Sequence, residues 1–338
     1  MNNWKIDVAV LLIFFNRPDK FSQVFEQVKL ARPSKLFLYQ DAPRRNNEKD
    51  IENVKKCREI AEDIDWDCEV HKLYQTENVG CDPSEYIAQK WAFSIVDKCI
   101  ILEDDDVPSQ SFFVFCKELL DKYENDTRIN MICGMNNLEI YEETGYDYLF
   151  SYYGAIWGWA SWSRVINRWN EEYELLNEKD IERFKKANRD KRVLKRYLKS
   201  AYAHKSSGKA HYESILAYDM MVNNTINIIP AKNMIKNIGN VGEEGTHSLT
   251  SLKLAPRGIR RVLDLKIYDI EFPLKHPNYV MEEVEYRKKY LRVMGWGHPF
   301  VSFYRRCESF VLALIYGDKA SLKRKLKKLF CIKEKVKK

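Results

Sequence analysis

No glycine occurs in the first 79 residues of this 338-residue chain, and Gly80 is the first of only 13. That excludes a phosphate-binding glycine loop near the N-terminus. Neither G-x-x-x-x-G-K-[ST] nor G-x-G-x-x-G can be written there, nor the glycine-rich loop of nucleotidyltransferases. Histidine is also sparse, at six. The eight cysteines (57, 68, 81, 99, 116, 133, 307 and 331) include no pair at C-x-x-C spacing, and most sit in apolar runs. This pattern suits free thiols in a reducing compartment and argues against a disulfide frame or a zinc site. Long apolar runs are missing too. Val8 to Phe15 is eight residues long, ends in Asn-Arg-Pro and carries no small-residue cleavage site, whereas a membrane helix needs about 18 apolar residues. The run reads as a strand, and the expected location is the cytosol.

Charge is unevenly placed. The net charge is +7, but Ser321–Lys338 alone hold nine Lys/Arg and one Glu, so the rest of the chain carries 7 − 8 = −1. A near-neutral body argues against a nucleic-acid partner, whereas the cationic end suits an anionic inner-membrane surface, with peripheral attachment. Ahead of it, Phe300, Val301, Phe303, Tyr304, Cys307, Phe310, Val311 and Leu314 recur at helical spacing. After a break at Gly317-Asp318 come Leu322, Leu326, Leu329 and Phe330 among Lys and Arg. Such a basic amphipathic stretch is expected to lie in a lipid headgroup layer, unless it is a packed helix followed by a solvated tail. Aromatics are plentiful, with 20 Tyr, 16 Phe and 8 Trp. Their faces stack on pyranose rings, and they also build large cores.

Strand-like and helix-like segments alternate in the first half. Strand-like segments at Val8–Phe15 (a continuous apolar run), Lys35–Tyr39, Cys68–Leu73 (alternating), Cys99–Leu102 and Ile129–Cys133 are separated by helical periods over Asp19–Leu30, Glu48–Ile64, Ser84–Val96 and Phe112–Tyr123. The order predicts an α/β fold with a doubly wound, mostly parallel twisted sheet and helices on both faces. Ligands of such sheets bind beyond the carboxyl ends of the strands. The polar clusters Asn16-Arg17, Gln40-Asp41, Asn78-Val79-Gly80 and Glu103 to Asp106 all fall there. We expect a catalytic domain over 1–277 with a basic helical insert at about 178–206, and a C-terminal helical extension over 278–338.

Glu103-Asp104-Asp105 directly follow the buried run Cys-Ile-Ile-Leu. Adjacent carboxylates raise one another's pKa unless a cation sits among them. A hard divalent ion, Mg²⁺ or Mn²⁺, bridging carboxylate and diphosphate oxygens accounts for the cluster, as does a solvated acidic turn that caps the next helix.

The run Cys-Ile-Ile-Leu-Glu-Asp-Asp-Asp-Val-Pro-Ser-x-x-Phe-Phe resembles the metal-binding region of GT-A glycosyltransferases. It is most similar to bacterial enzymes related to N-acetylglucosaminyltransferase I. The resemblance continues through Asn16-Arg17-Pro18, Gln40-Asp41, Asn78-x-Gly80, Trp157-Gly158-Trp159, Asn237-Ile238-Gly239, Thr246-His247 and Pro273 to Pro277. It implies a GT-A fold and transfer of a sugar from a UDP-sugar to a glycan or lipid-linked glycan, as in bacterial surface polysaccharide synthesis. By the same resemblance Asp105 holds Mn²⁺ while Glu103 and Asp104 face the ribose and donor sugar. Arg17 and Asp41 grip the base, and Asn78 and Gly80 let backbone approach the nucleotide; read by themselves, Arg17 equally suits pairing with a nearby carboxylate, Asp41 the capping of a turn, and Asn78-Val79-Gly80 a plain tight turn. Trp157 or Trp159 lines the sugar pocket. Trp162 itself reads as core, and His247 either reaches the metal or the diphosphate or is a neutral structural histidine.

An inverting transfer needs a general base, for which Glu213 and Asp219 compete. Both lie on one helix, about 120° apart around it and about 9 Å along its axis. The family's Trp-Asp at the start of this helix falls on Tyr212-Glu213, which favours Glu213. Two rivals stay open: a sugar nucleotidyltransferase, disfavoured by the missing glycine loop, and a non-catalytic glycan- or membrane-binding protein.

Overall fold

The computed structural model describes residues 5–174, 177–187, 190–239, 252–316 and 322. Its first element, β1 (Ile6–Phe14), is buried along nearly all its length, as a strand covered on both faces must be. It leads into α1 (Pro18–Ala31), which opens on a proline and buries Phe21, Val24, Phe25 and Val28. The alternation continues with β2 (Pro33–Gln40), α2 (Glu48–Ala61), β3 (Glu69–Tyr74), α3 (Cys81–Phe93) and β4 (Lys98–Glu103). Each agrees with its sequence expectation to within about three residues at either end.

Beyond β4 the chain departs from simple winding. A short β5 (Asp106–Pro108) precedes α4 (Gln110–Lys122) and β6 (Ile129–Cys133). Two strands follow that sequence reading did not foresee, β7 (Tyr148–Ser151) and β8 (Trp159–Trp162), and then the one-turn α5 (Ser163–Ile166). The expected basic insert is two helices, α6 (Glu178–Ala187) and α7 (Lys191–Ser207). Next come α8 (Tyr212–Asn223), β9 (Ile226–Pro230), β10 (Ile235–Asn237), α9 (Arg257–Leu263), α10 (Val284–Met294) and α11 (Pro299–Ile315).

Eight strands form one sheet in the order β3-β2-β1-β4-β8-β6-β9-β7. Four of its seven pairings are parallel. β8 runs antiparallel between β4 and β6, and β7 closes the far edge antiparallel to β9. The expected α/β architecture is present, with a mixed second half. One helix group (α1, α2, α4) and another (α3, α5, α8, α7) each pack internally and against the sheet. α10 joins the same core through Tyr286, Tyr290 and Leu291.

Strand order reverses direction at β1, whose neighbours are β2 and β4, and ligand crevices of open α/β sheets form at such a point. The register Ile13↔Glu103 sets the segment after β1 beside the acidic turn after β4. A separate two-stranded ribbon, β5 with β10, pairs Asp106 with Asn237 and crosses that same end of the sheet.

Candidate active site

Glu103 ends β4 half-buried, and Asp104, Asp105 and Asp106 are all buried. The three aspartates share their holders, Arg17 between Asp104 and Asp105 and Asn237 between Asp105 and Asp106. Asp104 accepts from the Phe15 N–H at 3.3 Å and from the Arg17 guanidinium. Asp105 pairs with Arg17 Nη1 at 2.6 Å and accepts from Asn237 Nδ2 at 2.8 Å. Asp106 accepts from Asn237 Nδ2 at 3.0 Å and from the Gly158 N–H at 2.8 Å. The backbone of Ile238 donates to the Asp105 carbonyl at 2.8 Å, and Gly239 N–H donates to Asn237 Oδ1 at 3.0 Å. A Cβ on Gly239 would overlap Asp105 Oδ2, so only glycine lets this backbone lie on the carboxylate. Asn237-Ile238-Gly239 is therefore a clamp on the acidic turn, a function that its sequence alone did not reveal.

Four consecutive carboxylates face one paired cation, Arg17, among the described residues. Burial, then the like charges of Glu85, Asp106, Asp105 and Asp104, push the Glu103 carboxyl up from the ordinary range. Burial and then Asp105 do the same to Asp106, against the hydrogen bonds that it accepts. Asp105 is raised by burial and by Asp104, with Arg17 opposing.

Glu85, which sequence reasoning missed, belongs to this cluster. It lies buried on α3, and its carboxyl is pushed up by burial and then by the like charges of Glu213, Asp106 and Asp104. The overlooked signal was a pair of acids three apart, Asp82 and Glu85, in the first turns of the helix that follows Gly80.

The nucleotide-site expectations resolve individually. Asp41 is buried and accepts four hydrogen bonds, from Asn78 Nδ2, Val79 N, Gly80 N and Ala42 N, all at 2.9–3.0 Å. It anchors the Asn78–Gly80 loop onto the end of β2. Gly80 sits at φ 89°, a conformation that favours glycine, and N-caps α3. Gln40 is fully buried; its amide donates to the carbonyls of Phe15 and Val54 while its oxygen accepts from Arg58. Asn16 donates to Asp50 at 2.7 Å, and Asp50 also holds Arg44. Trp159 is sealed in the core, stacked on Tyr212 with centroids 6.5 Å apart, and Trp162 is buried as expected. Trp157 is half-buried, so of the two candidates it is the one that reaches the surface.

The two base candidates differ sharply. Asp219 is 2% exposed, accepts from Arg168 Nε through both oxygens at 2.9 Å and accepts from Asn223 Nδ2 at 2.9 Å. Glu213 is half-buried in the first turn of α8. Beside it, the Tyr212 hydroxyl donates to Glu103 Oε1 at 3.4 Å and ties this end of α8 to the acidic turn. Asp82, His211 and Glu213 bring three ligand atoms within 4.8 Å of one another, close enough to hold a metal ion. His211 Nδ1 lies 3.3 Å from Asp82 Oδ1, and its ring stacks on His204 at 3.9 Å. Neither Asp82 nor His211 was singled out from sequence. His247, the second expected metal residue, lies outside the described residues together with Thr246.

No protein-family model matches the chain, and no curated protein matches it. Among solved structures it is similar to a UDP-glucose pyrophosphorylase complexed with UDP-glucose, at 10% identity and TM-score 0.35, covering 68% of this chain and 92% of that one. It is similar to mouse xyloside xylosyltransferase 1 in the apo form, at 10% identity and TM-score 0.36, covering 65% and 84%. A third likeness is to 4-diphosphocytidyl-2C-methyl-D-erythritol synthase from Anaerococcus prevotii, at 11% identity and TM-score 0.30, covering 54% and 85%.

Proposed function

We propose that this protein is a nucleotide-sugar-dependent glycosyltransferase of the GT-A type. It moves a sugar from a UDP-sugar, with inversion, to a hydroxyl of a glycan or lipid-linked glycan. The observation that carries this reading is the acidic turn Glu103–Asp106, held rigidly at the switch point of the sheet, with Glu213 on the helix that Tyr212 ties to it.

The donor set suits a hard divalent ion. Carboxylate oxygens are the ligands that Mg²⁺ and Mn²⁺ take, and Arg17 brings one positive charge to four acids. Asp105 would hold the ion, joined by His247 from the segment beyond Gly239. When bound, such an ion offsets the charge that develops on the leaving diphosphate.

The chain's own groups supply the rest. Arg17 and the Asp41-anchored loop hold the nucleotide, with Gly80 allowing the close approach. Glu103 and Asp104 face the ribose and donor sugar, and Trp157 offers an aromatic face to a sugar ring. Glu213 takes the proton from the acceptor hydroxyl as its oxygen bonds to the anomeric carbon. The carbon–oxygen bond to the diphosphate breaks, and nucleoside diphosphate departs with that electron pair. Asp219 is assigned a structural role, because Arg168 and Asn223 already occupy its oxygens.

Products separate the readings. Incubation with UDP-sugars and Mn²⁺ should release UDP. Pyrophosphate from UTP and a sugar 1-phosphate would mark a nucleotidyltransferase, and turnover of neither would mark a binding protein. Asp105→Asn should lose both donor turnover and the Mn²⁺-dependent rise in Tm while keeping the fold. Full activity in excess EDTA would remove this mechanism.

A further inference from the structure

α11 turns a broad apolar stripe to the outside of the molecule. At 100° per residue, Phe300, Phe303, Tyr304, Val311, Leu314 and Ile315 fall within an arc of about 120°. All six are exposed, Phe300 at 87% and Phe303, Tyr304 and Ile315 at 67%. The side turned toward the molecule is mixed: Ala313 is buried and Val301, Phe310 and Leu312 are half-buried, beside polar groups. Ser302 Oγ donates to the Gly295 carbonyl at 2.9 Å, Arg305 donates to the Val293 carbonyl, and Glu308 accepts from the Arg257 N–H at 2.9 Å. A helix that serves only a soluble fold places its apolar stripe inward. The stripe here runs about 22 Å from Phe300 to Ile315 at 1.5 Å per residue, and a continuous exposed patch of this kind marks an interaction surface.

What covers it is indicated by charge. At the N-terminal end of α11 a cavity of about 770 Å³ is lined by six Lys/Arg, among them Arg192, Lys288 and Arg292, against two acids, Asp190 and Glu285. Past the C-terminal end, residues 321–338 hold nine Lys/Arg against one Glu. An apolar stripe with cations at both ends matches a lipid surface with anionic headgroups, where aliphatic and aromatic side chains enter the acyl boundary and cations meet phosphates. A second copy in an isologous pair would bring those same cations together.

We propose that α11 lies flat in the headgroup layer of an anionic membrane and carries the enzyme on that surface. This deepens the functional reading above, since it sets the acceptor site at a bilayer where a lipid-linked glycan is presented. The test uses the full chain sedimented with vesicles of phosphatidylglycerol mixed into phosphatidylcholine, and with vesicles of phosphatidylcholine alone. The wild type should partition to the anionic vesicles, less to the neutral ones, and less at high salt. Phe303→Glu combined with Leu314→Glu places charge on two exposed positions, so Tm should hold while partitioning falls about a hundredfold or more. Transfer to a soluble acceptor should stay at the wild-type level.

Three results would overturn the proposal: no binding of the wild type to anionic vesicles, binding by the double variant equal to wild type, or a wild-type dimer that the double variant dissolves. The second would assign any vesicle binding to the basic tail alone, and the third would assign the stripe to a second copy. A wild type that binds vesicles in the expected pattern but transfers no sugar would instead fault the functional reading and leave this one standing.

Discussion

Glu213 and Asp219 sit six residues apart on one helix, and the structure predicts opposite consequences for neutralising each. Asp219 is 2% exposed and holds Arg168, whose side chain is 26% exposed. Removing one partner of a buried ion pair costs about 3–5 kcal/mol. Two features lower that figure for Asp219→Asn: the amide still accepts one hydrogen bond, and Arg168 can turn partly to water. About 2–3 kcal/mol is then expected. With an unfolding entropy of roughly 2.1 cal/mol/K per residue, the whole chain loses about 0.7 kcal/mol of stability per kelvin near its midpoint, so Tm should drop by about 3–4 °C. Turnover of the folded fraction should be within about threefold of wild type, since no reacting atom is touched.

Glu213→Gln should do the reverse. Its side chain is half-buried, so Tm should hold within about 1 °C. The loss of a general base should lower kcat by about 10²–10⁴-fold with donor affinity nearly unchanged. Differential scanning fluorimetry and a UDP-release assay on the two purified variants read both axes. An Asp219→Asn enzyme with unchanged Tm and kcat reduced a hundredfold would refute the reasoning, because Arg168 would then be positioning a catalytic group. Loss of kcat in neither variant would point to a retaining mechanism.

Two further outcomes follow from the site. Gly239→Ala should displace Asp105 and the Arg17 that it holds, because the new Cβ falls on the carboxylate; donor-induced thermal stabilisation should vanish while the far-UV spectrum is kept, and intact donor binding would show that the clamp is dispensable. Glu85→Gln should raise Tm at pH 8 and lose that advantage toward pH 5. The raised pKa of Glu85 means that its contribution to stability is fully present below the ordinary carboxyl value of 4.5 and is lost as pH rises through the folded value; a Tm difference that is independent of pH would show that burial leaves the Glu85 carboxyl unshifted.

The first half of the fold was legible because β1, β2, β4 and β6 are buried along most of their length, while the exposed edge strand β3 shows itself by alternation. A continuous run such as Val8–Phe14 has one physical reading when turn and helix signals bound it. The second half hid its strands for the opposite reason. β8 is four residues, Trp-Ala-Ser-Trp, all buried and inserted antiparallel between β4 and β6, and nothing in so short a segment signals direction. The break at Asp190 that splits the basic insert into α6 and α7 is likewise a tertiary matter, since its carboxylate accepts from Tyr153 and Arg287.

At the site, the acidic turn was readable from chemistry, as carboxylates delivered by a hydrophobic strand. The partners of those carboxylates were not. Asn237 reaches Asp105 across 132 positions of sequence, and Asp41 meets Gly80 across 39. Such pairings are fixed by strand order and not by local propensity.

The ribbon of β5 with β10 gives the site a place in the order of synthesis. Strands β1 to β4 and the acidic turn are complete by Asp106, yet two of the groups that hold the turn come later, from Gly158 and Asn237. A nascent chain that has emerged to residue 230 can therefore own all eight strands of the main sheet and every acid of the turn while Asp105 and Asp106 still lack the Asn237 amide. The clamp on the acidic turn closes only when the polypeptide has grown past Gly239. Fragments that end short of it should fold in part and leave the turn unclamped.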